Sequence, residues 1–261
     1  MLVVLVCAAV AAATLSVAWL IVRRTGDGGW TDVVWALSVG LIGAGAAVWP
    51  TAEAVPARQG LVALLIAVWA LRLGGYLALR TARAPAPDPR YEDFKKAWGG
   101  WGLKAWGFLM VQAATVLVLV VAVRAAAVRP EPVLDGRDAL AVLIVIAAVT
   151  GEAVADRQMA AFRRRPSNRG KVADTGLWAW SRHPNYFFEW TVWLAWPVMA
   201  LVPGEVSSWL TLPAPVLMWW LLNQVSGVPM LEEQMLKSRP EAYRNYQSRV
   251  SRFLPLPPKP R

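Results

Sequence analysis

The sequence predicts an all-α, polytopic membrane protein. Three observations lead there. Apolar residues make up 57% of the 261-residue chain against 17% charged, too apolar a balance for an ordinary soluble domain. The apolar residues come in runs close to the roughly 20 residues that cross hydrocarbon as a helix, the form in which a span satisfies its own backbone hydrogen bonds. The basic residues, finally, fall on alternate loops. With 16 tryptophans available to mark the interfaces, seven spans are expected.

The first run covers residues 2–22 and is followed, not preceded, by Arg23-Arg24. A secretory signal peptide carries its positive charge in front, so this run is expected to be a retained span with the N-terminus outside. Further runs cover 33–49, 60–79, 105–128, 137–155, 187–203 and 207–226, the second and sixth being short but flanked by tryptophan. Loops 23–32, 80–104, 156–186 and the tail 227–261 then face the cytoplasm. They hold all of the 27 Lys and Arg except Arg58, Arg72, Arg124, Arg129 and Arg137. Such asymmetry is the positive-inside rule at work, so the net charge of +10 reflects topology and anionic lipid, and nucleic acid is not an expected partner.

Between the third and fourth runs, Ala84-Pro85-Ala86-Pro87-Asp88-Pro89 is a stiff, non-helical break, and Trp98-Gly99-Gly100-Trp101-Gly102 ends an interfacial loop. In the tail, Tyr243, Tyr246, Val250 and Phe253 are spaced by three, four and three. That spacing predicts an amphipathic helix on the cytoplasmic surface, with Arg244, Arg249 and Arg252 on its basic face. Residues 1–261 read as one membrane-embedded domain with the polar tail 227–261. The single cysteine, Cys7, excludes a disulfide framework and a cysteine-based metal site.

Ionisable groups in a span cost on the order of 2.5–3.5 kcal/mol each and require a partner or a purpose. Asp32 opens the second run, Arg72 and Tyr76 lie late in the third, and Glu152 and Asp156 close the fifth. Asn185 and Glu189 open the sixth, four residues apart and so on one helical face behind Pro184. His183, the one histidine, can serve as a ligand, a general acid or a helix-start residue; no metal-ligand spacing surrounds it, and no metal is expected. The loop from Asp156 to Arg182 carries Arg157, Arg163, Arg164, Arg165, Arg169, Lys171 and Arg182. Guanidinium forks match phosphate oxygens, whereas the plainer reading is an ordinary positive-inside loop. A phenol such as Tyr76 beside a carboxyl such as Asp32 can polarise a substrate carbonyl; the plainer reading is a tyrosine at headgroup level. Tyr243 and Tyr246 are read as interfacial anchors.

Taken together, Asp32-Val33-Val34-Trp35, Trp69-Ala70-Leu71-Arg72-Leu73-Gly74, Asp88-Pro89-Arg90-Tyr91, Gly176-Leu177-Trp178 leading into Ser181-Arg182-His183-Pro184-Asn185-Tyr186, and Leu231-Glu232-Glu233 with Tyr243-Arg244-Asn245-Tyr246 resemble the steroid 5-alpha-reductase-like family of membrane oxidoreductases. The resemblance, which is to bacterial members, runs from the second span to the C-terminus. It implies a bacterial inner-membrane enzyme with its site facing the cytoplasm. There NADPH would deliver hydride to the beta carbon of an enone in a lipophilic substrate drawn from the bilayer.

Carried over residue by residue, the resemblance implies cofactor contacts at Asp156, Arg163, Asn185 and Glu189. Arg182, His183, Glu152, Arg90, Glu232, Tyr243 and Tyr246 are further candidates, and Tyr76 with Asp32 is the catalytic pair. Glu152 stands where steroid reductases have asparagine, Asp32 where they have glutamate, and Leu231-Glu232-Glu233 replaces their histidine–tyrosine cluster. The stretch Arg182 to Tyr186 with its acidic pair and tyrosine-rich tail is also similar to the isoprenylcysteine carboxyl methyltransferases, which bind S-adenosylmethionine. A lipid- or sterol-binding protein without turnover is the third expectation.

Overall fold

The computed structural model describes residues 1–52, 54–131, 133–202 and 204–260. Among them the regular structure is helical and no strand occurs. The helices are α1 (Leu2–Thr25), α2 (Gly29–Val48), α3 (Pro56–Ala82), α4 (Pro89–Trp98), α5 (Leu103–Ala127), α6 (Gly136–Arg164), α7 (Pro184–Ala200), α8 (Pro213–Trp220), α9 (Val228–Ser238) and α10 (Pro240–Arg249). Five of these, α1, α2, α3, α5 and α6, are long and apolar enough to cross a membrane, as an integral membrane protein requires.

The last two expected spans are shorter than the apolar runs that announce them. α7 has 17 residues and carries Pro197, and the expected end at residue 203 lies outside the described residues. The run 207–226 divides into a 3-10 turn (Val206–Thr211), α8 and a π turn (Leu221–Val225). Pro213 and Pro215 lack the N–H that would continue the ladder from the 3-10 turn, so the α-helix starts afresh there.

Two compact units are present. Unit one comprises Met1–Leu140 with Trp196–Ala214; unit two comprises Ala141–Ala195 with Pro215–Arg261.

In unit one, small residues let helices approach closely, the means of packing available where lipid is as apolar as leucine. A Cβ on Gly40 of α2 would overlap that of Ala70 on α3, and one on Gly74 of α3 would strike Leu37. Helix α1 buries Cys7, Ala11, Leu15, Ala18 and Val22, a stripe with helical spacing, and turns Leu5, Val17 and Leu20 outward. It ends at Gly26, whose φ of 75° closes the helix in the left-handed conformation that glycine adopts without strain.

Three of the five arginines off the expected cytoplasmic loops form an ionic cluster in this unit. Arg58, fully buried, meets Asp138 Oδ1 at 3.1 Å and donates to the carbonyls of Arg129, Glu131 and Val133. Arg129 meets Asp138 Oδ2 at 2.8 Å, and Arg137 meets Glu131 at 2.9 Å. These guanidiniums are neutralised within the protein.

In unit two, a Cβ on Gly151 of α6 would overlap the ring of Phe188 on α7, which brings the two helices together beside Glu152 and Glu189. The tail corrects one expectation. Its amphipathic helix does not run through Phe253: α10 stops at Arg249, and Val250 is extended. Beyond that point the chain bonds to the segment before α7. Arg182 N–H donates to Ser251 O at 2.8 Å, Ser181 Oγ to Phe253 O at 2.8 Å and Leu256 N–H to Trp180 O at 3.0 Å. Tyr243, Tyr246, Val250 and Phe253 are consequently buried in protein instead of serving as interfacial anchors, and Val172, Met235 and Leu236 pack on the first three.

If the α2–α3 contact is as tight as its glycine shows, Gly40→Val forces the helices apart. An overpacking loss of about 1–3 kcal/mol is expected, read as a lower thermal midpoint in detergent. Gly45→Ala, where nothing lies within 4 Å, is expected to leave the midpoint unchanged or raise it slightly.

Candidate functional site

Unit two holds most of the expected site residues. Near the end of α6, Glu152 and Asp156 lie four residues apart, 3% and 6% exposed, and the helix then runs into the exposed Arg157, Arg163, Arg164 and Arg165. At the start of α7, Asn185 is half-buried and Glu189 is buried, with Trp193 Nε1 donating to Glu189 Oε1 at 3.2 Å.

A second cluster centres on Glu232 of α9. Its Oε1 accepts from Arg182 Nε at 2.7 Å and from Tyr243 Oη at 3.1 Å, and lies 3.2 Å from His183 Nε2; its Oε2 accepts from Gln247 at 2.9 Å. Arg182 also donates to Val250 O at 2.7 Å, and Tyr246 Oη donates to Trp178 O at 2.5 Å. Arg182, His183, Glu232 and Tyr243, all expected near a cofactor, are thus brought together, with Tyr246 alongside. Their mutual bonds lock the tail onto the segment before α7. Trp178 adds a tie to α6 through Ala155 O at 3.0 Å.

The protonation states follow from this geometry. Burial raises the Glu232 carboxyl, but the hydrogen bonds from His183 and Arg182 outweigh it and hold the group at about 2. Burial lowers His183, which leaves the ring neutral near pH 7 with its Nε2 proton directed at the carboxylate. Burial, reinforced by the Glu232 charge, pushes Tyr243 well above the ordinary tyrosine range. At neutral pH the cluster is an ionised carboxylate ringed by donors. Among the described residues no group of three or more His, Cys, Asp or Glu is arranged to hold a metal.

Unit one holds the rest. Asp32, in the first turn of α2, accepts from Tyr91 Oη at 2.5 Å and from Arg90 at 2.9 Å. Arg90 meets Asp88 at 2.8 Å, and Asp88 caps α4 by accepting from Arg90 N–H at 3.0 Å. Gly28 is required here because a Cβ would overlap the Tyr91 side chain. Burial first, and then the Asp32 charge, push the Tyr91 phenol well above its ordinary value, so it donates to the carboxylate as a neutral group. The phenol on Asp32 is therefore that of Tyr91, whereas Tyr76 lies on α3 with the Arg72 guanidinium 5.5 Å from its ring centre. Sequence reasoning missed Tyr91 and Gln247. Tyr91 stood in view within Asp-Pro-Arg-Tyr, and Gln247 sits one turn after Tyr243.

Fold and site together define an all-helical protein with membrane-length helices and clustered buried ionisable groups. The chain belongs to the family described as protein of unknown function DUF1295, which matches residues 18–250 and is associated with steroid 5-alpha-reductase-like proteins. An uncharacterized protein of Schizosaccharomyces pombe is 35% identical over 83 residues, a stretch covering 31% of this chain and 23% of that protein. No solved structure matches the chain.

Replacing Glu232 by alanine strips four donors of their acceptor and leaves Arg182 enclosed without its counter-charge, a loss on the order of 3 kcal/mol. Faster proteolysis after Arg239 and Arg244 is the expected readout. In the native chain the depressed carboxyl adds stability that is complete above about its ordinary value of 4.5 and is lost as pH falls through about 2. Amide exchange in α10, corrected for intrinsic rate, should accelerate in two stages as the pH falls: first below about 6.5, where the opened state protonates a His183 that burial keeps neutral in the closed one, and again below about pH 4 as Glu232 takes up its proton.

Proposed function

We propose that the protein is an NADPH-dependent membrane oxidoreductase that reduces a carbon–carbon double bond conjugated to a ketone in a lipophilic substrate taken from the bilayer. One observation carries this reading. Unit two buries Glu152, Asp156 and Glu189 within α6 and α7, and α6 continues directly into four exposed arginines. Ionisable groups at such positions are retained for function, and buried acceptors beside surface guanidiniums suit the two ends of a phosphorylated dinucleotide. Membership of a family associated with steroid 5-alpha-reductase-like proteins supports the same class.

The residues fit such a group. Arg163 and Arg164 would hold phosphate oxygens, and Asp156, Asn185 and Glu189 would bond its hydroxyls and amide. When bound, the nicotinamide supplies a hydride. The protein's part is to bind, orient and exclude water. Tyr76 is assigned to the ketone oxygen, where a phenol hydrogen bond stabilises the negative charge that develops as the beta carbon is reduced, while Asp32 bonds Tyr91 and Arg90 instead of Tyr76. Tyr91 and Arg90 hold the Asp32 carboxylate in place.

Titrating purified protein in detergent with NADPH and, separately, with S-adenosylmethionine tests the reading through tryptophan fluorescence. Saturable binding of NADPH is expected, weakened about tenfold by Arg163→Ala, the scale of one lost charge-assisted contact. Binding of S-adenosylmethionine alone would turn the assignment to a methyltransferase, and binding of neither to a lipid-binding protein. With a panel of lipophilic enones, Tyr76→Phe should spare NADPH binding and slow NADPH consumption by about 10²–10⁴-fold. Unchanged turnover in that variant removes Tyr76 from the chemistry.

A further inference from the structure

Unit one contains a cavity that this reaction does not use, at the end of the bundle remote from Asp32. Its volume is about 160 Å³. Val3 and Cys7 of α1 and Leu117, Val121 and Arg124 of α5 wall it, and Ser207 of the turn Val206–Thr211 closes one side. Asp32 opens α2, whereas Ala46, near the other end of the same helix, lines this cavity.

Its electrostatics set it apart from the ionic cluster nearby. Arg58, Arg129 and Arg137 each meet a carboxylate. Arg124, also on the wall, is held by neutral acceptors: the carbonyls of Ala46 and Trp49, each at 2.8 Å, and the Thr51 hydroxyl. It lies within one turn of the end of α5, close to where headgroups begin. A guanidinium whose bonding partners among the described residues are all neutral, in a largely aliphatic wall, is complemented by an anion. Glu205, exposed on the same lining, complements a cation.

We infer that this cavity is a binding site for a zwitterionic phospholipid, with phosphate at Arg124, ammonium at Glu205 and the upper part of one acyl chain between α1 and α5. A volume of about 160 Å³ accommodates a short stretch of acyl chain. The rest of the chain lies against the outward apolar faces of the helices. This occupancy is independent of the proposed reaction.

Cys7 provides the readout, being the one cysteine, 6% exposed, and on the cavity wall. Delipidated protein in detergent is treated with methyl methanethiosulfonate alone or with short-chain phosphatidylethanolamine, phosphatidylglycerol or diacylglycerol of equal chain length. Phosphatidylethanolamine should slow Cys7 modification at least fivefold, phosphatidylglycerol less and diacylglycerol least. Glu205→Gln should erase the advantage of phosphatidylethanolamine over phosphatidylglycerol, and Arg124→Gln that of both over diacylglycerol. Val121→Phe, which fills the cavity and keeps the Arg124 bonds, should slow the reaction without lipid and make all three lipids ineffective. Equal protection by the three lipids in the native protein, or protection by none, overturns the assignment.

Discussion

Inside an apolar bundle a buried charge needs a complement close at hand, and this constraint shapes both units. In unit one it produces the Arg58–Arg129–Asp138 cluster, where two guanidiniums share one carboxylate and fill the loop carbonyls around it. It also produces the Asp32–Arg90–Tyr91 arrangement that ties α4 to the start of α2. In unit two it produces Glu232, a single carboxylate with four donors. Each cluster joins segments distant in the chain, so it positions backbone as well as neutralising charge.

That double role is clearest around Glu232. Arg182, His183, Glu232 and Tyr243 bond one another and form a rigid wall. Arg164 and Arg165 stand exposed at the C-terminal end of α6. On the other unit, the neutral Tyr91 phenol bonded to Asp32 keeps a carboxylate oriented without cancelling its charge.

Much of the fold was legible because hydropathy and helix length are linked in lipid. Each of the seven apolar runs contains a helix, though the helices extend past the runs wherever polar residues complete a turn, as α2 does by starting at Gly29 and α3 by reaching Ala82. Where prolines interrupt hydrogen bonding, as at Pro213 and Pro215, apolar composition overstated helix length. Helix α4 escaped a search for apolar runs because it is polar, although Asp88 followed by Pro89 is a helix-start signal. Single buried residues such as Glu152, Asp156 and Glu189 were visible as charges in apolar stretches. The Glu232 cluster was not, since spacing along one helix carries no information about partners some fifty residues away. For the same reason the tail's aromatic stripe was readable as an apolar face, while its covering by protein and not lipid was not.

The long reach of that cluster also orders biosynthesis. Arg182 and His183 emerge from the ribosome well before Glu232 and the extended residues Val250 to Phe253 that enclose them. Until that later segment arrives, a nascent chain carries an uncovered arginine and histidine at the head of α7. Unit two therefore reaches its mature form only once residues 232–253 have been made, and a chain cut short within α9 leaves Arg182 without the carbonyl of Val250 and Ser181 without that of Phe253.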